Sequence, residues 1–245
     1  MTEPLVYKKS GGLGNVLIHL TSMDSACTLL HDDVYDYELA NCLSIHGFTR
    51  VSYEGKQPET PIFINPYTAN FVHQKIRDIV TPTPFLEELI RQNIHVLDGV
   101  SCGMSIRRGS YCADSRQFKD ERSDRPEHFF CSDEGLEKFK QVIEIAPGKV
   151  FISSDSESTL KHLIETYGDK IRTIDTTCVY IQEQRGEENI NIEKYHSVFV
   201  KFFLLSKCPQ LFLTGGKSDF TGFSTFAYMA AIYGNKPFSI VFNTC

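Results

Sequence analysis

Apolar and polar positions change rhythm along the chain. After the run Gly11-Gly12-Leu13-Gly14-Asn15, apolar residues at 16, 17, 20, 23, 26, 29 and 30 keep helical spacing, which predicts a glycine loop feeding a helix over Val16–Leu30. Between Val51 and Ile64 come short strand-like pieces broken by prolines, and the Thr81-Pro82-Thr83-Pro84 turn starts a helix through Leu89 and Ile90. Near position 100 the character changes. His95–Ile106 holds strand material, Gly109–Pro126 is polar and reads as a long loop, and Glu134–Ile145 is a helix. Val150–Ser154 is a buried strand, and Asp155 and Ser156 cap a helix that runs to Tyr167. Ile171–Ile174 is strand-like, Ile192–Lys207 a mostly buried helix, Leu211–Thr214 a strand, Ser224–Tyr233 a helix and Phe238–Phe242 a last strand. Strands alternating with helices of this length require parallel pairing and right-handed crossovers, so the second half reads as a Rossmann-like α/β domain.

Composition narrows the classes without deciding among them. The 245 residues suffice for one large or two ordinary domains, and 41% hydrophobic with 23% charged residues is the balance of a soluble globular protein. A net charge of -6 argues against a general nucleic-acid binder, so any phosphate site must be local. The eight cysteines form no C-x-x-C pair and no zinc-type spacing with the eight histidines, and they read as reduced, buried residues of a chain in a reducing compartment. Met1–Ser10 has no apolar segment of signal-peptide length, no run of 18 apolar residues occurs, and no N-glycosylation sequon is present. Cytoplasmic residence without a membrane segment is the expectation.

Four clusters fall where ligands bind in parallel α/β sheets, at strand carboxyl ends beside helix amino termini. The first is Ser105-Ile106-Arg107-Arg108-Gly109-Ser110, whose planar, always charged guanidiniums match phosphate oxygens. Only one of two neighbouring arginines can face a given ligand, and the sequence does not distinguish them. The second is Ser153-Ser154-Asp155-Ser156, either a helix cap or a nucleoside contact. The third, Thr214 to Phe226, sets Asp219, Ser224 and Thr225 among Gly215, Gly216 and Gly222, and can be an ordinary cap or a phosphate cradle. The Gly11–Asn15 loop is the fourth. His19, His31, His46, His73, His95, His128 and His196 lie on or near apolar segments and read as core-edge residues, and the acidic cluster Asp32, Asp33, Asp36 and Glu38 as a solvated loop.

Taken together these clusters resemble the α-1,2-fucosyltransferase family and, more distantly, the α-1,6- and protein O-fucosyltransferases. Their G-G-L-G-N opening, H-x-R-R-G-D segment, S-D-S strand end and S-T-F helix start correspond in order to Gly11–Asn15, Ser105–Ser110, Ser154–Ser156 and Ser224–Phe226. The resemblance implies a GT-B-like fold of two Rossmann-like domains with parallel sheets facing a cleft: residues 1–98 on the acceptor side, residues 99–245 binding the nucleotide sugar. It implies a metal-independent, inverting transfer, with GDP-fucose as donor substrate, no further cofactor and a glycan hydroxyl as acceptor. Arg107 and Arg108 would be catalytic, and Gly12, Gly14, Asn15, Ser154, Asp155, Ser224 and Thr225 would bind the donor.

The chain departs from the family where Ser105 and Ser110 replace its histidine and aspartate, removing both ionisable neighbours of the arginines; Asp114 is the next carboxylate along. Two rivals therefore stand beside the transferase. One is an inactive nucleotide- or glycan-binding relative that kept the fold, and the other an unrelated α/β enzyme whose arginines hold a monophosphate.

Overall fold

The computed structural model describes residues 5–7, 12–23, 26, 28–31, 41–52, 75–112, 130–175, 192–217 and 222–243. In the first half, β1 (Leu5–Tyr7), β2 (Thr28–His31) and β4 (Thr49–Val51) form a parallel sheet in the order β1-β2-β4, while β3 (Leu43–Ile45) pairs antiparallel with β5 (Val80–Pro82). Helices α1 (Leu13–Ser22), α2 (Ile76–Ile79) and α3 (Pro84–Asn93) belong to the same half. The helix expected over Val16–Leu30 stops at Ser22, and its last apolar residues lie in β2, where Leu29 is paired with Val6 on one side and Thr49 on the other. Two adjacent leucines suit either period, and two flanking strands decide for the extended form. The α3 start follows the sequence: Pro84 opens the helix and Thr83 accepts the Leu86 N–H through its hydroxyl at 3.3 Å.

The second half has one five-stranded sheet. Its strands β6 (Val100–Ile106), β7 (Lys149–Ser154), β8 (Ile171–Arg172), β9 (Leu211–Lys217) and β10 (Phe238–Asn243) are all parallel and lie in the order β10-β9-β6-β7-β8. The chain enters at the central strand, builds outward through β7 and β8, then returns to the other side of β6 for β9 and β10. That reversal opens a crevice at the carboxyl ends of β6 and β9. Helices α4 (Asp133–Ile145), α5 (Glu157–Tyr167), α6 (Ile192–Lys207) and α7 (Thr225–Gly234) provide the crossovers. The α/β class and the parallel second sheet are those expected from the alternation of periods. β9 runs past Thr214 through Gly215 and Gly216, which the sequence suggested were loop, and β8 is shorter than Ile171–Ile174. Most of the Gly109–Pro126 loop, the cluster at residues 32–38 and the strand pieces between Val51 and Ile64 lie outside the described residues.

Strand alternation sorts the core onto two faces. Cys102, Met104 and Ile106 of β6 with Val150 and Ile152 of β7 pack against Phe139 and Ile143 of α4 and Leu160 and Leu163 of α5. On the other face Phe151, Leu211 and Leu213 join α6 and α7, and that cluster continues without a break into Leu13, Val16, Leu17 and Leu20 of α1 and Leu86 and Ile90 of α3. Among the described residues no helix is long and apolar enough to cross a membrane.

Two positions in α1 yield tests. A Cβ on Gly14 would overlap the backbone of Thr225 and Phe226, so the glycine is what lets α1 and α7 touch. Gly14→Ala is expected to lower the unfolding free energy by about 1–3 kcal/mol in urea titrations, the range for overpacking a close contact. His19 is buried in the same helix, and burial pushes its pKa down to about 4 from 6.5. As pH falls, the unfolded chain takes up this proton first, so the stability that His19 contributes is complete above about pH 6.5 and is lost toward pH 4, by roughly 2–3 kcal/mol. Denaturation between pH 7 and pH 4 should show that loss in the wild type and a flatter profile in His19→Gln.

Candidate functional site

The crevice between β6 and β9 is where the sequence-derived residues converge. Gly12, Gly14 and Asn15 enter it from the start of α1, Arg107 from the end of β6, Ser154 and Asp155 from the end of β7, and Ser224 and Thr225 from the start of α7. Of the nine residues singled out from the sequence, Arg108 alone does not line it.

A shared turn aims the two arginines in opposite directions. Beyond Ile106 the Arg107 N–H donates to the buried Thr214 hydroxyl at 2.9 Å, and that hydroxyl donates to the Ser105 carbonyl at 2.8 Å, tying the ends of β6 and β9 together. The Arg107 guanidinium lies over the Phe130 ring, 5.0 Å from its centroid, which holds the cation at the crevice wall. Arg108 turns the other way and is 4% exposed. Its guanidinium donates to the Cys131 carbonyl at 2.8 Å and to Asp133 Oδ1 at 2.5 Å, anchoring the turn to the first turn of α4. Arg108, expected as one of two catalytic arginines, is therefore placed away from the crevice lining, with two of its guanidinium nitrogens bonded within the protein. Gly109 has a φ of 49°, and a Cβ there would run into the Phe130 ring.

Asp155 holds this turn in place. Its carboxylate accepts the Arg108 N–H at 2.6 Å and the Gly109 N–H at 3.0 Å, charge-assisted bonds that leave it facing the crevice with both oxygens engaged. Ser154 accepts the Ser156 N–H at 3.1 Å, and Ser156 caps α5 by accepting from Thr159 at 3.1 Å, as the sequence suggested. Burial pushes the Cys131 and Cys208 thiols up to about 12, which makes them inert side chains of the core.

Helices α1 and α7 start side by side at the crevice. Thr225 donates from its hydroxyl to Asn15 Oδ1 at 2.9 Å. Gly12 stands at the N-cap of α1 and Ser224 at that of α7, and neither makes a side-chain cap bond; the Ser224 hydroxyl pairs with Ser105 Oγ at 3.3 Å instead. Two sets of first-turn N–H groups, each at the positive end of a helix dipole, thus border the same space as Arg107. Such a surface accepts an anion with several oxygens. Sequence reasoning missed Lys201, which reaches the crevice from α6 and pairs with Asp175 Oδ1 at 2.8 Å. The legible sign was one cation inside the apolar run Val198–Leu205 of that helix. His31, His46, His95 and His196 are not among the lining residues, while His73, His128 and Asp114 lie outside the described residues. Among the described residues no cluster of His, Cys, Asp and Glu could hold a metal ion.

Strand order and helix placement define an α/β protein of GT-B type. No family model matches the sequence, and no curated protein matches it. The fold is similar to that of NodZ, an α-1,6-fucosyltransferase. A structure of NodZ soaked with GDP-fucose superposes with a TM-score of 0.54 at 14% identity, covering 95% of this chain and 92% of that one. A NodZ structure co-crystallised with GDP and one of the enzyme from Bradyrhizobium each give 0.53 at 15% identity, covering 94% of this chain and 92% of that one. The α-1,2 linkage of the family that the motifs resemble is carried by none of these.

The split between the arginines is testable by stability alone. Removing Arg108 leaves a buried carbonyl and a void, and Arg108→Ala is expected to cost about 2–4 kcal/mol in denaturant unfolding. Arg107→Ala removes the contact with the Phe130 ring at the partly exposed crevice wall and should cost less, under about 1 kcal/mol.

Proposed function

We propose that this chain is a metal-independent, inverting glycosyltransferase that moves fucose from GDP-fucose to a hydroxyl of a glycan acceptor. The observation that carries the reading is the convergence of Arg107 with the N-termini of α1 and α7 on one crevice at the strand-order reversal. The likeness to a fucosyltransferase fold seen with GDP-fucose and with GDP supports the choice of donor.

In this mechanism the acceptor hydroxyl attacks the anomeric carbon from the face opposite the diphosphate and releases its proton to solvent water. The bond from that carbon to the phosphate oxygen breaks, and negative charge grows on the leaving group. Arg107 and the uncapped amides of both helices are fixed before reaction, so they stabilise that charge without reorganising. Ser105 and Ser224 add hydroxyls on the crevice floor, and Asn15 and Thr225 keep the two helix starts together. Asp155 acts on the donor through the turn it clamps.

One observation favours a second reading, a nucleotide binder without transfer. Asp155 is the one carboxylate among the described residues lining the crevice, and both its oxygens already accept backbone N–H groups, which leaves it poorly suited to take the acceptor's proton.

Binding and turnover separate these readings. GDP at about 100 times its dissociation constant should stabilise the wild type by about 2.7 kcal/mol in thermal melts, with UDP and ADP giving less. Arg107→Ala should weaken GDP binding at least tenfold and lower transfer by about 10²–10³. Unchanged transfer in that variant would overturn the mechanism. GDP binding with neither transfer nor donor hydrolysis across an acceptor panel would select the second reading, and preference for a sugar monophosphate over every nucleotide would reject both.

A further inference from the structure

Lys201 has no part in the mechanism above, yet it is an expensive residue. It stands in α6 within Val198-Phe199-Val200-Lys201-Phe202-Phe203-Leu204-Leu205, a single cation among apolar side chains, and is 4% exposed. Withdrawing an ammonium so far from water carries a desolvation penalty that the apolar side chains of the same run do not carry. One partner is Asp175, whose Oδ1 accepts from Nζ at 2.8 Å. A methionine or leucine would continue the stripe without that penalty, so packing supplies no reason for the charge. Position 201 borders the crevice, as Val198 one turn before it does, together with Thr225 and Phe226 of the first turn of α7.

We propose that Lys201 is a second phosphate-binding cation of this site, meeting the donor's diphosphate from the α6 side while Arg107 meets it from the β6 side. The inference rests on the nucleotide-sugar reading and adds to it the residue that completes its charge balance. A nucleoside diphosphate leaving from a sugar gains negative charge as the bond to the anomeric carbon breaks, and one guanidinium does not neutralise it. The α7 N-terminus beside Lys201 adds partial positive charge to the same spot. An ammonium is a compact charge whose donors point in several directions, so Nζ can serve a carboxylate and a phosphate oxygen at once. Asp175 thus fixes the lysine when the crevice is empty and orients it when an anion arrives.

The test is calorimetric titration of the full chain with GDP and, separately, with inorganic pyrophosphate, in the wild type, Lys201→Met, Lys201→Gln and Lys201→Arg. Melting curves for each variant establish which are folded, and the apolar and polar replacements give two routes to a folded protein without the charge. The expected result is at least tenfold weaker binding of both ligands in Lys201→Met and Lys201→Gln, with most of the affinity kept in Lys201→Arg. Wild-type affinity for both ligands in the folded charge-free variants would overturn the proposal for Lys201 and leave the nucleotide-sugar reading standing. Weakened GDP binding with unchanged pyrophosphate binding would also overturn it, by moving the lysine from the phosphates to the nucleoside. A wild type that binds neither ligand would overturn the functional reading itself.

Discussion

The Asp155 carboxylate gripping the N–H groups of Arg108 and Gly109 is the contact from which the rest of the crevice follows. It reaches across from the end of β7 to the end of β6 and forces the chain into a turn where consecutive residues diverge. One arginine is sent to the crevice wall and the other into the protein, where Cys131 and Asp133 receive it. Thr214 makes the corresponding link from β9, so the three strands that frame the crevice are joined beyond the point where their ladder bonds end. Charge-assisted and buried bonds of this kind are stiff, and stiffness is what allows Arg107 to be in position before a ligand arrives.

The first half contributes by proximity. Gly14 allows the backbone of α1 to lie against that of α7, and the apolar cluster that begins in the second sheet continues through both helices. The crevice therefore has a wall from each half of the chain, bonded to one another through Asn15 and Thr225. A glycine that reads in the sequence as loop freedom acts here as a spacer of minimal thickness.

The second half was legible because its helices and strands are long enough for their periods to show. β6, β7, α4 and α5 follow the expected alternation, and Ser156 caps as its position before the helix suggested. The first half was less so. β1, β3 and β5 have three residues each, too few for any period, and β2 was absorbed into a helical reading because Leu29 and Leu30 fit both. At the crevice, eight of the nine residues singled out by residue type and place at strand ends are among its lining. Arg108 was the exception because adjacent arginines look alike until a turn separates them. Lys201 escaped because its distance from every motif is closed only by the packing of α6 on α7.

The recessed position of these positive groups has a consequence for how a ligand arrives. The molecule as a whole carries a net charge of -6, so an anionic ligand such as the proposed donor would approach against a repulsive far field and meet attraction only inside the crevice. Salt screens the outer repulsion over about 10 Å at 0.1 M but acts weakly on contacts already shielded from water. Capture is then faster at moderate ionic strength than in dilute buffer, the reverse of an enzyme that steers its substrate with surface charge.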